Sequence, residues 1–452
     1  MKLLSRLKRV GTLLLVLAAG VAVTARATGP LYVGGPGAVP GVAFRWTINP
    51  LTYWTDLGNL GTQTNSQADS LVAASFQVWQ DAPTANITFT PDASNGGKLG
   101  GDVTASNITA VLNAIESCGA LGSIAKDRSI IYDVDGSAVT AMGMDASSVL
   151  GFASAACLTS NGVDSNYFLR GYAVLNGRFL DGIDTFSNPE VTPADFKAVM
   201  IHEFGHLLGL DHSQINLVCL TEGTGAPGCD LDGVPTMFPI LIDAAAMSTL
   251  ATDDIAGISE LYPETVNNPP NQVPYASTTG RITGRVFFSD GQTPAQGFNV
   301  IARRIDNPLV IAVSSVSGFL YTASAGNAVQ PWSSSSYGSS NPALIGYYVI
   351  PGLPPGDYTV EVEAIYNTGD YAFVLGSGLG PFGDLGFQFP LPSLLPTPPP
   401  CTDEYLVSSA TATCDSAAAT TLPVAAGSVV STGTDVILIA TPPRYDAWED
   451  GP

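Results

Sequence analysis

Apolar positions along the chain follow two periods, and the change comes near residue 263. In the first half the longer patterns are helical. Ala68, Leu71, Val72, Ser75, Phe76 and Trp79 fall on one face of a helix predicted over Ser66 to Asp81. Phe196, Val199, Met200, Phe204, Leu207 and Leu208 mark another. It opens at Thr192-Pro193-Ala194-Asp195, with Thr as N-cap, Pro at the first helical position and an acid at the third. Strand candidates surround these helices: Phe44 to Trp54, Asn86 to Thr90, Ser129 to Val134, Ser148 to Ala153 and Tyr172 to Asn176. Residues 91 to 128 are polar and Gly-rich and read as an inserted loop. The opening strand–helix–strand also suits an ordinary α/β unit, and that segment alone does not choose.

Beyond Pro263 the period becomes two. Thr265 to Thr279, with Asn267-Asn268-Pro269-Pro270 inside it, reads as a linker. Ile282, Gly284, Val286 and Phe288 share a strand face. Val300 and Ala302 alternate with Asn299 and Arg303. Tyr358, Val360, Val362 and Ala364 alternate with Thr359, Glu361 and Glu363. Period two with Gly/Pro turns such as Leu353 to Asp357 predicts an all-β sandwich. Ala323 to Asn341 is a long Ser-rich loop, and Pro390 to Pro400 is extended. Ser428 to Ile439 is strand-like; it either completes the sandwich or forms an appendage. Arg444 to Pro452 is a polar tail.

The N-terminus reads as an address. Lys2, Arg6, Lys8 and Arg9 precede an apolar stretch from Gly11 to Val23, and Ala25-Arg26-Ala27 is a small-x-small cleavage site. The other reading is an uncleaved anchor, for which the apolar stretch is short. Only 12% of residues are charged, and the formal net charge is −22. The leader carries five basic residues and no acidic one, so its removal takes the charge to −27. Such a chain is a poor partner for nucleic acid or anionic membrane. The organisation expected is a signal peptide over 1–27, a flexible leader over 28–41, a first domain over 42–263, a linker over 264–279, a β-sandwich over 280–389, and a Pro-rich linker with a C-terminal strand and tail over 390–452.

Six cysteines fit an oxidising compartment. They lie as near pairs, Cys118 with Cys157, Cys219 with Cys229 and Cys401 with Cys414. Six allow fifteen connectivities, so the pairing rests on proximity alone. Metal thiolates are the rival use, without any Cys-x-x-Cys to support it.

All three histidines fall in one window, His202-Glu203-Phe204-Gly205-His206-Leu207-Leu208-Gly209-Leu210-Asp211-His212. His202 and His206, at i and i+4, share a helix face where both imidazoles can bind one metal ion. Glu203 can polarise a water and carry its proton. Gly209 suits a left-handed helix end, which turns His212 back as a third ligand. A bare His-Glu-x-x-His arises by chance on amphipathic helices; the longer pattern with Gly and a third His is far more specific.

The window resembles the zinc signature of the metzincins, and Gly209 to Ser213 looks most like the matrixin branch. Val234-Pro235-Thr236-Met237-Phe238-Pro239 resembles the Met-turn, which makes Met237 the floor of the site. Leu250 to Tyr262 resembles the closing helix, where an Asp of the pair Asp253-Asp254 ties helix to Met-turn. The resemblance covers Val42 to Pro263, about half the chain. It implies an α+β catalytic domain, a mixed twisted sheet with an active-site helix, and one catalytic Zn²⁺. It also puts Ser148 to Ala153, with Val149, Leu150 and Gly151, in the place of an edge strand that pairs with extended peptide. The loop from Cys219 to Cys229 borders the pocket for the residue after the scissile bond. Two departures stand out. No cysteine precedes Cys118, so no propeptide thiol caps the metal, and no histidine is left for a structural zinc. In the second half, Ile282 to Val286 with Gly352 to Val362 resembles the carboxypeptidase regulatory-like sandwich.

Calcium is a further candidate ligand. Asp133-Val134-Asp135-Gly136 reads either as part of a Ca²⁺ loop or as a plain turn, and Asp164, Asp181 and Asp184 are of the same kind. The reading is a secreted, monomeric zinc endopeptidase acting on protein or peptide, with Glu203 as general base and no stable membrane insertion after signal cleavage. The alternatives are an extracellular binding or adhesion protein with an inactive metzincin domain, and a metallohydrolase of another bond.

Overall fold

The computed structural model describes residues 29–35, 37–185, 189–213, 215–216, 218–221, 223–267, 272–321, 338–339, 341–364, 401, 403–408 and 410–439. The signal peptide, most of the Ser-rich loop, the Pro-rich linker and the polar tail read from the sequence lie outside these residues.

The first unit is built on a six-stranded sheet. Its strands are β1 (Phe44–Arg45), β2 (Leu51–Thr55), β3 (Phe89–Pro91), β4 (Arg128–Asp133), β5 (Gly151–Ser160) and β6 (Asn166–Asn176). The order is β1-β6-β4-β2-β3, all parallel, and β5 runs antiparallel along β6. Neighbouring side chains point to opposite faces, so each strand feeds two cores. Ile130, Tyr132, Ala153, Ala173 and Leu175 point to one core, with α1 (Asn65–Gln80) and the later helix Pro193–Leu207. Ile131, Phe152, Tyr172 and Val174 point to the other.

That second core corrects the sequence reading. The stretch read as an inserted loop contains α2 (Ile108–Glu116), whose Ile108, Val111, Leu112 and Ile115 are buried beneath the sheet. Their spacing is helical, but Gly and Ser on both sides mask it. A short α3 (Ser137–Ala141) follows β4, then α4 (Pro193–Leu207) and α5 (Thr252–Leu261).

Two other segments pack where looseness was expected. Leu31 and Val33, in the supposed flexible leader, are buried; Leu31 N donates to Gly209 O at 2.7 Å and Asp211 N to Gly29 O at 3.1 Å. In the supposed linker, Tyr275 is buried and its hydroxyl donates to Glu260 Oε2 at 2.7 Å. In both places one or two large apolar side chains find a groove.

The second unit has two sheets. One holds β7 (Gly280–Phe287), β10 (Tyr347–Leu353), β14 (Val429–Val430) and β15 (Val436–Ile437). The other holds β8 (Phe298–Arg304), β9 (Ala312–Val316), β11 (Gly356–Ala364), β12 (Asp403–Tyr405) and β13 (Leu422–Val424). Both supply one core. Ile282, Val286, Tyr348 and Ile350 come from the first sheet, and Val300, Ala302, Tyr358, Val360 and Val362 from the second. The strand-like C-terminal segment joins these sheets, β14 and β15 both pairing with β7.

Candidate metal centre

Helix α4 carries the first two histidines and is fixed at both ends. Thr192 Oγ1 accepts from Asp195 N at 3.1 Å, and Pro193 occupies the first turn. Phe196 and every residue from Ala198 to Leu207 are buried. Two tryptophans bind the helix backbone from outside it: Trp79 Nε1 donates to Ile201 O and Trp46 Nε1 to Leu207 O, each at 2.8 Å. Tyr262 Oη donates to Leu208 O at 2.6 Å. The Trp46 and Tyr262 bonds satisfy carbonyls that the helix end cannot.

The helix stops as its glycine predicts. Gly209 has φ +94°, Gly209 N donates to His206 O at 3.0 Å, and Leu210 N donates to Gly205 O at 2.9 Å. This pair of bonds is the Schellman closure. It reverses the chain and brings His212 against the helix.

The three imidazoles converge. His206 Nε2 lies 3.1 Å from His202 Nε2 and 3.1 Å from His212 Nε2. Nitrogens bound to one tetrahedral metal at about 2.0–2.1 Å stand about 3.3 Å apart, so the spacing fits a shared ion. The far nitrogens support this. His202 Nδ1 donates to Thr236 O at 2.8 Å and His206 Nδ1 to Leu210 O at 2.9 Å. These bonds leave the Nε2 lone pairs facing one another, an arrangement that repels unless a cation sits among them. Burial also holds the rings neutral, as ligands must be. It pushes His206 down to about 4 and, with neighbouring His206, pushes His202 well below the usual range; His212 is pushed down likewise. Among the described residues this triad is the only group of three or more His, Cys, Asp or Glu placed to share an ion.

Glu203 is buried, and neither carboxylate oxygen has a hydrogen-bond partner. Burial pushes its pKa well above the ordinary carboxylate range. Gly151, at the start of β5, gives it room: a Cβ there would stand 3.1 Å from Glu203 Cγ. Val149 and Leu150 lead into that strand and are buried.

Met237 is buried below α4. Its turn is held by Asp254, whose Oδ1 accepts from Met237 N at 3.0 Å and whose Oδ2 accepts from Thr236 N and Ala251 N, each at 2.8 Å. Asp254 thereby fixes the Thr236 carbonyl that orients His202. Asp253 points elsewhere, accepting from Ser213 Oγ at 2.5 Å. Thr236, Trp46, Trp79 and Asp254 act on the site across long sequence separations, and no local pattern announces Trp46, Trp79 or Thr236.

All six cysteines pair as proximity suggested: Cys118–Cys157, Cys219–Cys229 and Cys401–Cys414. The first ties the end of α2 to β5.

The calcium candidates are not brought together. Asp133 Oδ2 accepts from Val139 N at 2.9 Å and Asp135 Oδ1 from Ser137 N at 3.0 Å, the bonds of a turn entering α3. Asp164 Oδ1 accepts from Asn161 Nδ2 at 2.7 Å, and Asp181 Oδ1 from Ile183 N at 2.7 Å. Asp184 is exposed. Each described bond is local, and those of Asp133 and Asp135 close a turn.

No described helix is long and apolar enough to cross a membrane. Compared with models of known protein families and with curated proteins, the chain matches none. What fold and geometry establish is a buried histidine triad able to bind a metal ion, in a mixed α/β chain with several sheets.

Proposed function

We propose that the chain is a zinc-dependent endopeptidase of the metzincin type, with a matrixin-like first unit and a carboxypeptidase regulatory-like β-sandwich as its second. One observation carries the proposal. Three buried imidazoles present their Nε2 atoms to one point, and an unpartnered buried carboxylate, Glu203, follows the first of them. A Zn²⁺ ion bound there supplies Lewis acidity toward a water and a peptide carbonyl. His202, His206 and His212 hold it with their lone pairs. Glu203 accepts the proton of the attacking water on a carboxylate oxygen and delivers it to the departing amine nitrogen. Burial raises its affinity for protons, which favours the accepting step.

Strand β5 supports a place for the substrate. Among the described strands it pairs only with β6, and Leu150 O accepts from Asn176 N at 2.9 Å. Leu150 is therefore a hydrogen-bonded position, and the alternating register directs the backbone groups of Gly151 and Ala153 away from β6. An extended peptide pairing there lies beside Glu203. Export is part of the proposal, supported by three disulfides and the N-terminal pattern.

Digestion of a peptide library by the purified chain, with and without a chelator, tests the reading. Cleavage that the chelator abolishes and Zn²⁺ restores is expected. Cleavage indifferent to the chelator would contradict it.

A further inference from the structure

The loop that delivers the third histidine is gripped from outside the first unit. Ile215, three residues past His212, is buried against Ile301 of β8 and Ala312 of β9. Asn216 beside it is buried with φ +60°. Its Nδ2 donates to Gly233 O at 3.1 Å and to Leu309 O at 2.7 Å, and its Oδ1 accepts from Arg303 Nη1 at 2.9 Å. Two of these three partners belong to the second unit. Arg303 is itself fixed, its Nε donating to Glu361 Oε1 at 2.5 Å and its Nη1 also to Pro308 O at 3.1 Å. The approach is close enough to demand a glycine: a Cβ on Gly233, next to the Val234–Pro239 turn, would stand 1.8 Å from Leu309 O. A parallel route runs through Asp253, which accepts from Ser213 Oγ and, at 2.8 Å on Oδ1, from Ser314 N of β9.

We propose that Arg303 and Asn216 are positioning residues of the metal centre, so that the second unit is a working part of that centre and not an appended module. The inference rests on the triad being a zinc site. The backbones of His202 and His206 are placed by the hydrogen bonds of their own helix. His212 lies beyond the helix end, and its position depends also on what holds the chain after it. Asn216 holds that chain to the segment entering the Met237 turn, and Arg303 holds Asn216. Removing the guanidinium leaves a buried amide oxygen unpaired and loosens the side chain that ties the two segments.

Zn²⁺ affinity of the full chain, measured by competition with a chelator, tests this, with the visible spectrum of bound Co²⁺ as a second readout of ligand geometry. Arg303→Met is expected to weaken Zn²⁺ binding about 10- to 100-fold and to alter the Co²⁺ bands. Asn216→Gly keeps the left-handed backbone, removes the bond to Arg303 together with those to Gly233 O and Leu309 O, and is expected to weaken binding at least as much; it decides the matter alone should Arg303→Met not fold. The double variant is expected to lose no more than Asn216→Gly alone. Tyr348→Phe removes a hydroxyl bonded to Thr434 O inside the second unit and is expected to keep parental affinity. Parental Zn²⁺ affinity and Co²⁺ bands in folded Asn216→Gly would overturn the inference, as would equal weakening by Tyr348→Phe. A parent chain that takes up no Zn²⁺ overturns the zinc reading and this inference with it.

Discussion

Gly205 and Met237 lie so close that a Cβ on the glycine would stand 2.2 Å from the methionine Sδ. The same Cβ would lie 2.9 Å from the Trp79 ring, whose indole holds the helix at Ile201. The Met237 turn and the helix that carries two of the three histidines therefore touch at backbone distance. Gly205→Ala must push Met237 and Trp79 aside together. Overpacking of this kind costs about 1–3 kcal/mol. Chemical denaturation is expected to show that loss, with weaker Zn²⁺ retention; parental stability would mean that the contact yields freely.

Asp254 accepts three backbone N–H groups, from Ala251, Thr236 and Met237. In Asp254→Asn an amide nitrogen must face at least one of them. A buried donor left without an acceptor costs about 1–3 kcal/mol. Because Thr236 O also orients His202, we expect lower stability and weaker Zn²⁺ binding in the same variant. Denaturant midpoints unchanged from the parent would contradict this.

Glu363 on β11 titrates far from the metal centre. Burial, with Glu361 and Asp403 nearby, raises its pKa from 4.5 to about 8. Below the ordinary value both folded and unfolded chains hold the proton, and above about 8 both have lost it. Between these limits the unfolded chain releases its proton first, so this group makes stability fall as pH rises. Glu363→Gln removes the effect and can keep the bond that Asn299 Nδ2 donates at 2.7 Å. The melting temperature of Glu363→Gln relative to the parent is expected to climb between pH 4.5 and pH 8. A difference that stays flat across that range would show that the carboxyl is not held protonated.

Features encoded locally were legible in the sequence. The i, i+4 histidines, the terminating Gly209 and the Thr192-Pro193 start all act within a few residues, and helix α4 forms as they dictate. The alternation of Val300 with Asn299, or of Val360 with Glu361, likewise placed the apolar members in the core of the second unit. What escaped depends on distant partners. Helix α2 is short and flanked by Gly and Ser, and its apolar face becomes informative only once the sheet above it exists. Leu31 and Val33 looked like part of a loose leader because the groove they fill is made by residues far along the chain. The carbonyl that orients His202 comes from Thr236, and the bonds that fix Asn216 come from Leu309 and Arg303. Nothing near Thr236 or Asn216 in sequence signals either role. The Asp133–Gly136 carboxylates close a turn, one of the two readings that segment allows.

The central claim is that Glu203 moves the proton while the three histidines hold the metal. The measurement that tests it most directly is peptide-cleavage rate and zinc content on the same preparations of parent and Glu203→Gln. The amide is nearly the same size as the carboxylate but cannot serve as a base. The account predicts parental zinc content, about one ion per chain for a single three-histidine site, with cleavage lowered at least 100-fold, the low end of what general acid–base catalysis contributes. Cleavage by Glu203→Gln at the parental rate would contradict it.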